Sequence, residues 1–176
     1  MGVHVTTTLI YETHSTTLDN ENGIATGWLP GELSERGRQE SVELGERRRG
    51  VDVVFSSDLR RAVQTVELSG LTIPHLQDWR LRECNYGTLN GAPMDALNPR
   101  VERVHTAFPG GQSYNDVVEL TRSFLDDIKR WYDGGVVLVV AHSANRWALG
   151  HLLEGQSLNE LIAVPFDWRP GWEYVL

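Results

Sequence analysis

VVLVVAHSANRWALG, residues 136–150, decides the fold. The run at 136–140 is continuously apolar and mostly β-branched, and the double glycine at 134–135 punctuates it. Such a run reads as a strand buried on both faces, the signature of a central parallel strand. His142 then opens a turn of small residues, and residues 145–153 take up helical spacing. A buried strand that ends in a polar turn and feeds a helix is the repeating unit of an α/β sheet. Ligands of such sheets gather at the carboxyl ends of the strands.

The same arrangement occurs near the start, where VTTTLIY (5–11) leads into THSTTLDN (13–20) and places His14 at a second strand end. Working outward, residues 3–11 and 51–55 read as strands, and 173–176 as a short final one. Ser34 caps a helix over 34–49, and Ser57 or Asp58 caps one over 59–68. The longest helix covers 113–131, with Val117, Leu120, Phe124, Leu125 and Ile128 on one stripe. The expected architecture is a three-layer α/β sandwich, a mainly parallel central sheet with helices on both faces. Residues 1–176 form a single domain. Residues 92–111 contain Pro93, Pro99 and Pro109 and little periodicity, so a mobile flap is expected there.

Composition narrows the function. A net charge of −8 with no basic run argues against nucleic acid. The cluster Arg47–Arg48–Arg49 ends a helix, where cations favour the dipole. Only one of the 16 basic residues, Lys129, is a lysine. The single cysteine, Cys84, allows no internal disulfide and fits a reducing cytoplasm. No segment has the apolar length of a membrane span or the form of a signal peptide, so a cytoplasmic location and no membrane partner are expected.

Two histidines at strand ends, an arginine in SSDLRRAVQT (56–65) and a glutamate in WRLRECNYG (79–87) are the ingredients of a phosphate site with a nucleophile and a proton donor. In that order they resemble the histidine phosphatase (phosphoglycerate mutase-like) superfamily. The family's first motif, Arg-His-Gly-x-Thr-x-x-Asn, corresponds to Thr13-His14-Ser15-Thr16-Thr17-Leu18-Asp19-Asn20. The resemblance continues through NENGIATGW, LSERG, SSDLRRAVQT, WRLRECNYGTLNG, PGGQS and VVAHSANRWALGHLLEG, across essentially the whole chain.

The resemblance implies His14 as the nucleophile, forming a phosphohistidine, and Glu83 as the general acid. His142 is implied as a donor to the transferring phosphoryl, and Arg61 rather than Arg60 as the phosphate cation. A carboxyl in the role of Glu83 must hold its proton at working pH. Thr17, Asn20, Thr26 and Gly27 are placed as neutral donors, with Trp28 and Trp79 as alternative pocket walls or plain core. The departures are Thr13 for the motif Arg and Ser15 and Ser143 for motif glycines. Losing a charge-assisted contact costs on the order of 1.5–3 kcal/mol. Arg146 either reaches in to compensate or is a surface charge.

The expected activity is therefore a metal-independent, cofactor-free phosphomonoesterase acting on a small-molecule phosphate ester. Two alternatives stay open: a pseudo-phosphatase that binds ligand with little turnover, and a phosphomutase. Against the mutase stand Cys84, Met94 and Ala144 where mutases carry gripping residues, and a chain too short for their insertion and C-terminal tail. No His/Asp/Glu set has metal-ligand spacing. His4, His75, His105 and His151 show no partner in the sequence. A cation-poor, aromatic pocket is expected, favouring an uncharged or aromatic body over a second phosphate. Self-association into a homodimer is left open.

Overall fold

The computed structural model describes residues 6–176. His4 and the first residues of the expected strand at 3–11 lie outside the described residues. The chain runs β1 (Thr8–Thr13), α1 (Leu18–Glu21), β2 (Ile24–Ala25), α2 (Glu35–Arg47), β3 (Val53–Ser56), α3 (Arg60–Leu68) and β4 (His75–Gln77). It continues through β5 (Ala92–Pro93), α4 (Tyr114–Trp131), β6 (Val136–Ala141), α5 (Ser143–Glu154), α6 (Leu158–Ala163) and β7 (Trp172–Val175). Single turns of 3-10 helix occupy much of the stretch between Trp79 and Arg103.

The main sheet has the order β4-β3-β6-β1-β7. Pairs β3–β4, β3–β6 and β1–β6 are parallel, and β7 joins β1 antiparallel at the edge. The run at 136–140 thus becomes the central strand, as its apolar character requires. Alternation along the strands builds two cores. Leu9, Tyr11, Phe55, Val137 and Val139 meet Phe124, Leu125 and Ile128 of α4 and Leu149 of α5. Ile10, Val54, Leu138 and Val140 meet Leu44 of α2 and Val66 of α3 on the opposite face. Helices on both faces of a mainly parallel sheet confirm the expected α/β class.

A third cluster lies under residues 92–111, where Leu97, Val104 and Phe108 are buried against Tyr86, Tyr114 and Trp147. Full burial of such a side chain contributes about 1.5–3 kcal/mol. The segment is therefore anchored by three side chains, although its regular backbone amounts to β5, paired with β2, and single turns of 3-10 helix.

Local chemistry moved some boundaries. Neither Ser57 nor Asp58 is the N-cap of α3, which is Leu59 with no side-chain bond; the Ser57 hydroxyl bonds His142 Nε2 and reaches the Leu59 N–H, just ahead of the helix. Helix α5 starts at Ser143, earlier than 145, since Asn145 Oδ1 accepts the His142 N–H at 2.9 Å. The arginines ending α2 do more than oppose a dipole. Glu12 of β1, 1% exposed, accepts from Arg47 Nε and Nη2 at 2.8 and 2.6 Å and from Arg48 Nε at 2.6 Å. Arg48 Nη2 also donates to the Pro170 carbonyl at 2.9 Å, tying β1, α2 and the approach to β7 together. No helix among the described residues is long and apolar enough to cross a membrane.

Candidate active site

At the carboxyl ends of β1, β3 and β6 a cavity of about 450 Å³ opens. Thr13, His14, Asn20, Thr26, Gly27, Arg61, Glu83 and Ser143 all line it, so residues from five separate stretches of sequence converge there.

His14 follows the last residue of β1, and its Nδ1 lies 2.8 Å from the Ser15 carbonyl. A carbonyl only accepts, so Nδ1 carries the proton and Nε2 keeps its lone pair. Burial, and then the positive charge of Arg61, push the His14 pKa down to about 3, and the bond to Ser15 offsets only part of this. The ring is thus a neutral imidazole with one free basic nitrogen, the form a nucleophile needs.

His142 ends β6 and is wholly buried, its ring centroid 5.1 Å from that of His14. Nε2 is bonded to Ser57 Oγ at 2.6 Å, and the Tyr11 hydroxyl donates to the His142 carbonyl at 2.5 Å. Its pKa is held well below the ordinary value by burial first, then by Arg61 and His14. Nδ1 has no hydrogen-bond partner among the described residues.

Arg61, 2% exposed, stands on the first turn of α3 and donates to the Leu29 and Gly27 carbonyls at 3.1 and 2.8 Å. Among the described residues no carboxylate bonds it. Burial lowers its pKa, with Glu83 acting in the opposite sense. A buried guanidinium held only by carbonyls keeps its charge for an incoming anion. Gly27 permits this grip, because at φ +56° it turns its carbonyl to Arg61, and a Cβ there would fall 1.9 Å from Asn90 Oδ1.

Glu83 is nearly buried. One carboxyl oxygen accepts from the Cys84 N–H at 2.8 Å and the other from the Ser143 hydroxyl at 3.0 Å. Helix α5 begins at Ser143, so its positive end faces the same space. The Thr13 hydroxyl, at the end of β1, is buried without a hydrogen-bond partner among the described residues.

Several expected residues serve the site indirectly. Thr17 caps α1, with its hydroxyl accepting from the Asn20 N–H at 3.0 Å and its own N–H donating to Asn20 Oδ1 at 3.0 Å. Ser15 is buried, bonded through its hydroxyl to Ser41 at 2.9 Å and through its N–H to Thr65 Oγ1 at 2.9 Å. Neither lines the cavity. Nor does Arg146. It is buried on the far side of α5, with its guanidinium 5.0 Å from the Trp172 ring and Nη2 3.1 Å from Glu154 Oε2. The expectation that it either compensates for Thr13 or lies on the surface fails on both counts, because the aromatic edge of β7 takes it up.

Trp79 is 52% exposed and walls nothing. Trp28 lies behind Glu83, donating from its indole to the Glu83 carbonyl at 2.7 Å. His75 and His151 do have partners, Ser56 Oγ at 2.7 Å and the Gln156 carbonyl at 2.8 Å.

The sequence reading missed Glu40, Arg36, Arg100, Phe166 and Trp168, all of which line the cavity together with Thr16. Glu40 of α2 accepts from the Thr16 N–H at 2.9 Å and bonds the Thr16 hydroxyl at 3.1 Å, bracing the turn after His14. Only the i,i+4 spacing of Arg36 and Glu40 offered a signal for that pair. With Arg36 and Arg100 present, the cavity is richer in cations than expected.

The model of the histidine phosphatase superfamily (branch 1) matches residues 13–168. A 2,3-bisphosphoglycerate-dependent phosphoglycerate mutase of Mesorhizobium japonicum is 30% identical, the match covering 88% of this chain and 85% of the relative. Among solved structures, Bacillus stearothermophilus YhfR superposes with a TM-score of 0.83 at 26% identity, covering 95% of this chain and 90% of that one. A mycobacterial glucosyl-3-phosphoglycerate phosphatase, solved in complex with VO3, superposes with a TM-score of 0.78 at 29% identity, covering 94% and 91%.

Proposed function

From the premise that the chain belongs to the histidine phosphatase superfamily, branch 1, we propose that it hydrolyses a phosphomonoester through a phosphohistidine on His14, without a metal or other cofactor. The observation that carries the reading is the bond from His14 Nδ1 to the Ser15 carbonyl beside a buried, carboxylate-free Arg61. It presents a lone pair and a positive charge to one space.

In the first step His14 Nε2 bonds to phosphorus as the bond to the leaving oxygen breaks. Glu83 passes a proton to that oxygen, and Arg61 with the first turn of α5 takes the phosphoryl charge. In the second, water attacks the phosphohistidine, the Glu83 carboxylate takes its proton, and inorganic phosphate and free His14 return. Ser143 holds the Glu83 carboxyl by its hydroxyl at 3.0 Å, which fixes the direction of proton delivery.

A phosphate-release screen over phosphomonoesters, with His14→Ala as control, tests the reading. The similarity to a phosphoglycerate mutase sustains one rival, transfer instead of hydrolysis. That rival predicts isomerised ester and no net phosphate release. The buried, unpartnered Thr13 hydroxyl sustains the other, a binding module, which predicts phosphate affinity without turnover.

A further inference from the structure

Arg100 differs from the other cations of the cavity. Arg61 is gripped by two carbonyls, and Arg36 is paired with Glu40 at 2.8 Å. Among the described residues Arg100 bonds only the Met94 sulfur, at 2.8 Å, a weak acceptor for one of a guanidinium's five donors. Its Nε is buried with no partner among the described residues, and its Cζ lies 5.8 Å from the centre of the Trp147 ring. The side chain is therefore held in place by packing, lines the catalytic cavity and lacks an anion.

The wall it shares is aromatic. Phe166 is fixed by ring contacts to Trp147 and Trp172 at 6.3 and 6.1 Å, and Trp168 at the cavity lining is 49% exposed. A half-exposed indole and a rigid phenyl ring, both lining the cavity, offer it flat apolar faces. A volume of about 450 Å³ exceeds what a phosphoryl group needs and suits a ring-sized body.

We propose that this cavity selects phosphomonoesters whose body joins a flat ring to a second anionic group, the ring lying on Phe166 and Trp168 and the anion on Arg100. The proposal rests on the phosphomonoesterase reading and names its substrate class. Arg100 in the cavity lining keeps the aromatic body of the sequence expectation and adds an anion to it. A guanidinium receives carboxylate and phosphate alike, so the second anion is either of these.

The test compares kcat/KM for benzyl phosphate, 4-carboxybenzyl phosphate and ethyl phosphate. The first two share ring and leaving oxygen and differ by one carboxylate, and the third lacks the ring. Wild type is expected to favour the carboxylated ester over benzyl phosphate at least tenfold, and benzyl over ethyl phosphate. Arg100→Gln should cut the first ratio about tenfold, with Arg100→Lys intermediate, and Trp168→Ala should cut the second. A bisphosphate, 1,4-bis(phosphonooxymethyl)benzene, identifies the anion. Preference for it over the carboxylate assigns phosphate, the reverse assigns carboxylate, and indifference to both anions overturns the proposal.

First ratios that agree within threefold in wild type and Arg100→Gln also overturn it. Circular dichroism checks each variant, and if Arg100→Gln fails to fold, Arg100→Lys and the wild-type ratio decide. If no ester is turned over, the phosphomonoesterase reading has failed. Calorimetric binding of the same pair to wild type and Arg100→Gln then decides the specificity question by the same ratios.

Discussion

Ser57 Oγ and His142 Nε2 lie 2.6 Å apart with both residues wholly buried. The Ser57 hydroxyl also accepts the Leu59 N–H at 3.3 Å, so one hydroxyl fixes both the entry to α3 and the ring beside His14. It ties Arg61, on the first turn of that helix, to His142 through a single side chain.

Removing this link should loosen geometry more than binding. Ser57→Ala is expected to lower kcat by about tenfold to a hundredfold, since misplacement on the order of 1 Å costs that much. KM should stay within about threefold, because the residue does not line the cavity. A loss confined to KM would place Ser57 in substrate binding instead.

His14→Ala should abolish phosphate release. Rapid quench of wild type with labelled ester should trap phosphoprotein that is labile in acid and stable in base, the behaviour of a phosphohistidine. Turnover of His14→Ala at wild-type rate would remove His14 from the reaction.

Glu83→Gln should slow an alkyl phosphate about a hundredfold, within the usual range for general acid catalysis. It should slow p-nitrophenyl phosphate far less, because that leaving group departs without a proton. Equal losses on both esters would reduce Glu83 to a wall of the cavity.

Thr13→Arg restores a second cation beside Arg61. A charge-assisted contact of about 1.5–3 kcal/mol corresponds to roughly tenfold or more tighter binding of phosphate or vanadate, read by calorimetry. Loss of both anion binding and turnover would mean that the site is shaped around a small residue at position 13.

The depressed pKa values of the two histidines bear on stability as well as chemistry. A histidine near its ordinary value when unfolded, but near 3 when folded, binds fewer protons in the native state between those limits. Native stability therefore falls as the pH drops from about 6.5 towards 3. For His14, which is partly exposed to the cavity, the loss from pH 7 to 5 is on the order of 1–2 kcal/mol. His142 shifts the same way. Thermal unfolding should show a lower Tm at pH 5 than at pH 7, reduced in His142→Gln, and ring resonances of His14 and His142 should not move over that range. Titration of either ring near pH 6.5 would contradict the burial argument.

Much of this was legible in the sequence because period and punctuation are local. The run 136–140 became the central strand, Ser34 and Ser113 cap their helices, and His14, Arg61, Glu83 and Ser143 meet in one cavity. What stayed hidden depends on long-range contacts. Arg146 gave no sign of its place beside Trp172, since only the antiparallel edge strand brings the two together. Arg100, Phe166 and Trp168 sit in connections without periodicity, so nothing local marks them as cavity residues. Thr17 matches the motif and Ser15 replaces its glycine, yet both hydroxyls serve backbone and neighbour instead of the cavity.

The clamp at Glu12 bears on inheritance. It fastens the strand that delivers His14 to a point two residues past Trp168, through Arg48 and the Pro170 carbonyl. The reacting groups descend with the strand ends, under the constraint of the sheet. Residues 100, 166 and 168 belong to connections, where an exchanged side chain leaves the ladder of β1 and β6 as it was. Exchanges in the connections can therefore reshape the cavity wall while the strand ends beside His14 and His142 stay where the sheet holds them.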